Sequence, residues 1–248
     1  MNHILKSTFL LGSLLLVPSV YSQGFSVGIA AGTAESPYKD YDEGGFVFPN
    51  ISYEDDLFYI RGMSAGLKAY SDDKNQLAIT VSYDPFSFDP DKTDDQKLRR
   101  LDKRDATLMA GFQLTHNENW GSVKAGISGD TLNNSNGMKG DLAYLYRFAA
   151  SKAWTLTPML GAEWNSKKTN SYYYGIASTE ALRSGLSTYN TSDSWQPYLA
   201  LSTRYAINKK WDTSLSAKII SLSDEIKNSP MVDQSDIGQF SISLSYHF

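Results

Sequence analysis

Alternation of apolar and polar side chains along short segments is the feature that most constrains how this chain can fold. The last residues, "FSISLSYHF", place apolar and aromatic side chains on one face of a strand and serines and a histidine on the other. The apolar stripe consists of Phe240, Ile242, Leu244, Tyr246 and Phe248. A soluble protein would bury such a stripe on a core, whereas a membrane barrel would turn it toward lipid.

The same alternation returns in further segments along the chain, at residues 25–32, 77–84, 105–115, 122–128, 141–148, 154–164, 196–205 and 211–219. Their opposite faces carry charges of both signs mixed with Gly, Ser and Thr. Aromatic residues such as Trp154, Trp164 and Trp211 stand at segment ends, which is typical of the girdles at membrane–water interfaces. The pattern therefore favours an all-β chain that forms an antiparallel transmembrane β-barrel over a secreted sandwich.

The first 22 residues have a different character. Lys6 is the only formally charged side chain among them, and the apolar run "FLLGSLLLV" is too short to span a membrane as a helix. This layout predicts a secretory signal peptide, residues 1–22, that is cleaved after Ser22 and leaves a barrel of residues 23–248. The remaining chain is mildly acidic, which argues against nucleic acid as a partner, and it has no cysteine for a disulfide or a thiolate metal site.

Connection lengths predict an orientation and a strand count. Short connections such as "SDDKNQ" and "INKKW" alternate with long ones at residues 85–104, 131–137, 165–194 and 222–236. Bacterial barrels have short periplasmic turns, so both termini are expected in the periplasm of a Gram-negative cell and the strand number is expected to be even. The segment "GGFVFPNISYEDDLFYIRG" reads as a hairpin. The barrel has ten strands if this hairpin lies outside the membrane and twelve, the favoured number, if it lies in the wall, although Pro49 argues against a central strand.

Charged residues on the polar faces predict a network inside the barrel. The candidates are Lys68, Asp84, Asp105, Lys124, Asp130, Asp141, Arg147, Glu163, Arg204 and Lys218. Five basic and five acidic side chains suggest a neutral internal network more than a selective pore, so little or no conductance is expected.

Two connections suggest contacts outside the barrel. Tyr172, Tyr173 and Tyr174 are consecutive and either contact sugars or a partner protein at an outer loop, or pack against lipid headgroups. The basic part of "DPDKTDDQKLRRLDKRD" has the chemistry to meet lipopolysaccharide phosphates, although an ordinary solvated loop is the favoured interpretation.

Neither catalysis nor metal binding has a clear signature. His116 and His247 are not matched by an evident serine and acid, so both are interpreted as solvated or rim histidines. The acidic clusters "DEGG", "EDD", "SDD" and "DPDKTDD" lack the spacing of a known calcium loop. No catalytic residue, metal or cofactor is therefore predicted.

Several longer stretches carry a family resemblance. They are "SPYKDYDEGGFVFPNISYEDDLFYIRG", "GDTLNNSNG", "YYYGI", "EALRSGLSTYNTSDSWQPYLALS" and "SLSDEIKNSPMVD". In this order and spacing they resemble the MipA/OmpV family of outer-membrane proteins over the whole chain after the leader.

The resemblance implies an outer-membrane barrel without catalytic residues. In its MipA branch it implies a scaffold that brings a lytic murein transglycosylase together with a class A penicillin-binding protein. The terminal stripe resembles the signal that the outer-membrane barrel assembly machinery reads. A small-solute channel, or a surface adhesin that uses loops 165–194 and 222–236, is the alternative function.

Overall fold

The computed structural model describes residues 24–41 and 44–248, so the predicted signal peptide lies outside the described residues. The strands are β1 (Gly24–Ala34), β2 (Phe46–Glu54), β3 (Phe58–Arg61), β4 (Ser64–Ser71), β5 (Asn75–Asp84), β6 (Thr107–Glu118), β7 (Gly121–Asp130), β8 (Met138–Leu145), β9 (Phe148–Ala149), β10 (Trp154–Asn165), β11 (Ser194–Ala206), β12 (Trp211–Ser221) and β13 (Asp236–His247). Three short helices lie in the connections: α1 (Lys167–Tyr174), α2 (Ser178–Ser184) and α3 (Asp224–Lys227). Within the described ranges, no helix is long and apolar enough to cross a membrane.

The strands form one closed antiparallel sheet. Each pairs with its neighbours in sequence, and β13 pairs with both β12 and β1, which joins the two ends of the chain. β9 contributes two residues that continue β8 along the same partner strand, β10. The wall therefore has twelve strands, and the predicted all-β antiparallel barrel with the favoured strand number is confirmed.

The outer face of the wall is a band of exposed apolar side chains. Ile29, Ile79, Phe112, Leu160 and Leu199 are all at least 43% exposed, each on a different strand. The alternate residues of the same strands face inward, as period two requires. Because lipid is the one solvent in which such a continuous apolar surface is stable, the band marks the membrane-spanning part of the barrel.

Short turns lie at one end of the barrel, here called the turn end, together with both termini of the barrel. The turn after β4 is held by Asp72, whose side-chain Oδ1 accepts the backbone N–H groups of Lys74 at 2.8 Å and Asn75 at 2.6 Å. The turn after β2 repeats this arrangement with Asp55, which accepts the N–H groups of Leu57 and Phe58. Aspartates that bond the backbone two and three residues ahead favour tight turns, so the sequence itself keeps these connections short.

Long connections at the opposite end, here called the loop end, fold together over the mouth of the barrel. Residues 35–41, 85–106, 166–193 and 222–235 form this cap, and its buried side chains make a hydrophobic core. The core includes Tyr38, Phe86, Phe88, Leu98, Leu101, Tyr173, Tyr174, Ile176, Leu222, Ile226, Met231 and Val232. The Tyr38 ring centre lies 4.8 Å from that of Phe88 and 5.9 Å from that of Tyr174, so side chains from separate connections pack directly on one another. The long connections are therefore an ordered lid with its own core.

The wall is irregular between β2 and β5. β3 has four residues and pairs with Ser52–Glu54 at the end of β2, and the chain then turns back at Gly62, whose φ of 57° suits glycine. Beyond this turn, Phe46–Asn50 of β2 pair with no described strand on the side away from β1. The opening between this edge of β2 and the end of β5 at Tyr83 and Asp84, just beyond the paired Ser82, is here called the wall gap.

Pro49 lies on the free edge at the wall gap. The carbonyl of Ile51 accepts the N–H of Gly62 at 2.9 Å, so Ile51 directs its backbone groups away from β1. Pro49, two residues earlier, directs its backbone to the same side, where a strand partner would need the N–H that proline lacks. The sequence objection to Pro49 in a central strand thus agrees with a wall strand that is unpaired on one side at this point.

Candidate functional site

Ion pairs and hydrogen bonds connect the inward-facing side chains in the middle of the barrel. The ammonium group of Lys218 contacts Glu163 and lies 4.1 Å from the centre of the Tyr198 ring. The Tyr198 hydroxyl donates to Asp141 at 3.0 Å. The strand register places Asp141 directly opposite Glu163, so the lysine and the tyrosine offset the repulsion of two neighbouring carboxylates.

Glu54 holds a second ionic group near the turn end. Its carboxylate lies 2.8 Å from Arg61 Nη2 and 3.0 Å from Lys68 Nζ. These residues belong to β2, β3 and β4, so one acid fixes the three strands of the irregular part of the wall. The short β3 is therefore held by side chains as well as by its few backbone pairs.

Two more ionic groups complete the described network. Asp212 contacts Arg204 at 2.8 Å and also His247 of the last strand. Asp84 at the end of β5 contacts Lys139 of β8 at 2.5 Å. The last contact crosses the interior, since β5 and β8 are not adjacent in the sheet.

The structure places eight of the ten residues predicted for this network on the inner side of the wall. They are Lys68, Asp84, Lys124, Asp141, Arg147, Glu163, Arg204 and Lys218. Asp105 instead lies exposed in the connection before β6, 3.3 Å from Lys103, because β6 begins only at Thr107. Asp130 ends β7, and its carboxylate accepts the N–H groups of Ser135 and Asn136, so it caps a turn.

Sequence reasoning missed four further members: Glu54, Arg61, Lys139 and Asp212. Lys139 and Asp212 occupy inward positions that alternate with outward-facing neighbours, as do the inward-facing residues that were predicted from the sequence. Lys139 was missed because β8 begins at Met138, three residues before the predicted start of that segment. Asp212 lies within a predicted segment at an inward-facing position, so the alternation could have identified it.

The revised set changes the charge balance of the interior. Seven described inward-facing side chains are basic: Arg61, Lys68, Lys124, Lys139, Arg147, Arg204 and Lys218. Five are acidic: Glu54, Asp84, Asp141, Glu163 and Asp212. The expected five-to-five neutrality does not hold along the wall, because Asp105 lies before β6 and Asp130 binds a turn at the rim, and the remaining inward-facing side chains have an excess of positive charge.

A cavity of about 350 Å³ lies between this network and the cap. Its floor and sides include Arg61, Lys124, Lys139, Asp141 and Glu163. Its upper side is apolar and aromatic and comprises Phe86, Tyr173, Tyr174, Ile220, Leu222, Ile226 and Ile237. The volume falls at the lower end of the range typical of small-molecule sites, about 300–1,000 Å³.

The three consecutive tyrosines belong to the cap. Tyr173 is 1% and Tyr174 5% exposed, and burial raises the pKa of both phenols well above the usual range. Tyr172 is partly buried and accepts the N–H of Asp105 at 2.8 Å. The hypothesis that all three contact an outside partner, and the alternative of packing on headgroups, are both wrong for Tyr173 and Tyr174, because helix α1 turns these rings into the cap core.

A buried ion pair ties two cap connections together. Arg104 Nη2 lies 2.7 Å from Glu180 Oε1, and both side chains are less than 10% exposed. Glu180 also accepts the N–H of Asp102 at 2.9 Å and, as the third residue of α2, the N–H of Ala177 at 3.1 Å. Nearby, Arg183 contacts Asp102. Arg104, one of the basic residues considered for lipopolysaccharide, is thus engaged within the protein.

The terminal stripe faces outward, as its alternation predicts. Phe240, Ile242 and Leu244 are between 39% and 49% exposed, whereas Ser241 and Ser245 are buried on the inner side. Phe248 is 76% exposed, and its ring centre lies 5.3 Å from that of Phe25. The aromatic residues of the first and last strands thus form part of a girdle at the turn end.

The two histidines of the described chain lie near the turn end. His116 Nδ1 is 2.7 Å from the side-chain oxygen of Asn75, and His247 contacts Asp212. In the described part of the chain, no three His, Asp or Glu side chains lie close enough together to hold a metal ion.

Charge is unevenly distributed over the turn end. The turns after β2 and β4 carry Asp55, Asp56, Asp72 and Asp73, and the turns before β10 and β12 carry Lys152, Lys209 and Lys210. Leu57 and Trp120 project from turns with 60% and 52% exposure. This surface offers exposed apolar side chains, with Leu57 in the acidic arc and Trp120 between the acidic arc and the basic arc.

A closed antiparallel wall, an apolar outer band, aromatic residues at its rim and a charged interior define an integral β-barrel of the outer membrane. A family model described as "MltA-interacting protein MipA" matches residues 27–248. The chain belongs to this family, and the resemblance inferred from its motifs is confirmed.

Known relatives agree with this assignment. The chain is 42% identical to the MltA-interacting protein of Escherichia coli K12, over 90% of each chain. It is 39% identical to the putative outer membrane protein YiaT of the same organism, over 95% of this chain and 96% of the relative. Outer membrane protein OmpV of Vibrio cholerae is 24% identical over 85% and 81%.

Among solved structures, an outer membrane channel from Pseudomonas putida F1 is similar, with a TM-score of 0.47, 13% identity and coverage of 92% of this chain and 96% of that one.

Proposed function

We propose that this chain is a non-enzymatic scaffold in the outer membrane that brings a lytic murein transglycosylase together with a class A penicillin-binding protein. The observation that carries the proposal is the 42% identity, over 90% of each chain, to a protein named for its interaction with MltA. The cap over the loop end supports it, since an ordered lid with a buried core is not expected of an open diffusion pore.

The proposal requires that the turn end faces the periplasm, where murein enzymes act. Short turns at that end support this orientation. The chain has no cysteine, so single cysteines report the orientation cleanly. A membrane-impermeant maleimide should label Leu182→Cys, at the 88% exposed position of the cap, in intact cells, and should label Asp73→Cys only after the outer membrane is permeabilised.

The turn end then provides the docking surface. Leu57 and Trp120 are exposed apolar side chains on turns close to acidic residues, a composition suited to a partner with an apolar patch and basic neighbours. The surface is small. Partners that are themselves anchored to a membrane need only weak contacts, because tethering raises their effective concentration.

Site-specific photo-cross-linking in intact cells tests the scaffold. A benzophenone amino acid at Leu57 or Trp120 should capture the transglycosylase, and cells that contain it should show co-capture of the penicillin-binding protein. The same probe at the lipid-facing Leu160 or at Leu182 in the cap is the matched control. Capture at Leu57 and Trp120 of nothing beyond the general assembly factors that the control positions also capture would overturn the proposal.

A further inference from the structure

The wall gap leads into the interior cavity. Phe48 on the edge of β2, Met63 at the turn below, and Ser82, Tyr83 and Asp84 on the edge of β5 all line the cavity. At the level of the turn, β3 and β4 separate these edges by three strand spacings, about 14 Å. No described strand continues between the two edges beyond the turn, so side chains alone, among them Phe48 and the partly buried Met63, separate the cavity from the lateral face of the barrel at this point.

The gap lies within the lipid-facing band. Val47 and Ile51 on the β2 side are 58% and 41% exposed, and Val81 and Tyr83 on the β5 side are 48% and 42% exposed. Apolar side chains thus flank the opening on both edges. A molecule that reached the cavity by this route would come from the hydrocarbon or headgroup region and would need an apolar part.

The cavity is polar on one side and apolar on the other. The cap side presents Phe86, Tyr174 and Ile226, and the opposite side presents charged residues of the wall. Three charged lining residues are engaged in local pairs, Lys139 with Asp84, and Glu163 with Lys218. A further lining acid, Glu35, lies just beyond the end of β1, where its carboxylate accepts the N–H of Gly238 at 2.6 Å.

Lys124 is different. It lines the cavity, and no hydrogen bond or ion pair within 4 Å engages its ammonium group in the described part of the chain. Its strongest charged neighbours include two cations, Arg61 and Arg147, and one acid, Asp141. Arg61 shares its acid, Glu54, with Lys68, so this group also has a net positive charge. Cations therefore outnumber acids around Lys124, and this part of the cavity has unmet capacity for one negative charge.

We propose that the cavity is a binding site for a single-chain amphiphile with an anionic head, which enters laterally from the membrane through the wall gap. Its head group lies between Lys124 and Arg61, and its apolar part lies against the aromatic side of the cap. A medium-chain carboxylate has a suitable charge and size. The site is independent of the proposed scaffold, since it uses none of the turn-end surface.

Binding of radiolabelled dodecanoate to the barrel in lipid nanodiscs tests the site, with empty discs as the blank. Saturable binding of about one molecule per barrel is expected, with clearly weaker binding of uncharged dodecanol. Lys124→Gln should weaken dodecanoate binding about tenfold, the loss expected for one charge-assisted hydrogen bond. Lys74→Gln removes an exposed lysine at the turn end and should leave binding unchanged.

A second variant tests whether binding requires the open volume of the cavity. Ser82→Trp places a large side chain at the inner side of the gap and should abolish binding while the barrel retains its heat-modifiable migration on gels. Non-saturable uptake equal to that of empty discs would overturn the site. Equal affinity for dodecanol, or no effect of Lys124→Gln in a folded barrel, would overturn the anionic head-group assignment.

Discussion

At the scale of single residues, glycine makes room for tyrosine inside the barrel. A Cβ added to Gly161 of β10 would lie 2.4 Å from Tyr198 Cζ and 2.8 Å from the carbonyl oxygen of Leu142. The end of the Tyr198 ring therefore occupies the space where a Cβ of residue 161 would lie, and from there its hydroxyl donates to Asp141. The absence of a side chain at Gly161 is thus part of the interior network.

Gly161→Ala should destabilise the barrel by about 1–3 kcal/mol, the usual cost of overpacking. The added methyl group displaces Tyr198 and weakens its bond to Asp141. Urea unfolding in lipid vesicles measures the change. Gly140→Ala is the matched control, because its Cβ would meet neighbouring atoms at an ordinary 3.5 Å. Equal stability of the two variants would contradict this account of Gly161.

Asp72 makes the turn after β4 resistant to acid. The Tyr70 hydroxyl donates to its carboxylate at 2.7 Å, and this bond, followed by those from the backbone N–H groups of Asn75 and Lys74, holds the pKa of Asp72 well below the usual range. Because the folded state favours the ionised form, the contribution of Asp72 is present above the ordinary carboxyl pKa of about 4 and is lost as the pH falls through the lower folded value.

The Cγ chemical shift of Asp72, followed by NMR, should therefore stay that of a carboxylate at pH 4. In Tyr70→Phe its midpoint should move upward, toward the ordinary value. A midpoint that is the same with and without the tyrosine hydroxyl would show that the backbone bonds alone set it.

The residues that face the lumen could be predicted from the sequence only where the limits of the strands were also predicted. Lys218 and Glu163 were placed correctly because they lie well inside long alternating segments. Asp105 and Lys139 were not, since alternation cannot show whether a strand has begun. No local signal indicates that Asp84 and Lys139, on strands that are not neighbours, meet across the interior.

At the scale of elements, the cap depends on Glu180. Its carboxylate joins α2 to the connection of residues 85–106 through Arg104. Glu180→Ala leaves Arg104 buried without its acid, which typically costs about 3–5 kcal/mol.

The expected result of Glu180→Ala is faster hydrogen exchange of α2 and residues 98–104, with the wall strands still protected. Asp224→Ala breaks the exposed pair of Asp224 with Lys227 in α3 and should have little effect, about 1 kcal/mol or less. Simultaneous loss of protection in the wall would show that the cap and the barrel do not unfold separately.

The last strand provides a prediction about assembly. Phe248 is largely exposed and packs on Phe25 and Tyr246 at the rim, outside the interior network. Deleting Phe248 should therefore lower the amount of barrel inserted in the outer membrane with little change in the stability of the barrel that does insert. Heat-modifiable protein in outer-membrane fractions measures the yield, with Phe248→Tyr as the conservative control. A normal yield after deletion would refute an assembly role.

Alternation in the sequence predicted the long strands well. It did not predict the short strand β3 or the cap helices, which are stabilised by contacts with distant parts of the chain. Strands such as β10 and β13 alternate over twelve residues each, so pattern alone identifies them. The four-residue β3 is too short to show a period, and the wall gap follows from that shortness. The helices of the cap were predicted as plain loops because their stability comes from contacts between distant connections, such as Tyr38 with Tyr174.

At the scale of the whole molecule, the cap and the interior ion pairs should keep the barrel closed to ions. Planar-bilayer recording should show small or no unitary currents. The strand register joins Asn165 of β10 directly to Ser194 of β11, so residues 166–193 can be replaced by a short Asn-Gly turn without altering the wall.

This shortened barrel should conduct, because it lacks α1 and α2 and most of the aromatic side of the cap. Large steady currents from the complete protein would contradict the closed state. Absence of current in the shortened barrel would show that the ion pairs close the lumen without the cap.

The pairing of β1 with β13 also determines when the barrel can become complete. Ser26 is the register partner of His247, so the contact that closes the ring joins the first and last described strands. Until that contact forms, both strands present free edges that other chains can extend. A chain shortened at its end by even one strand would keep such an edge permanently. Pairing of β1 with β13 therefore distinguishes chains that carry both strands from chains that lack one. Because these strands are far apart in the sequence, bringing them together costs loop entropy, and we expect this pairing to be the slow step that assembly factors accelerate.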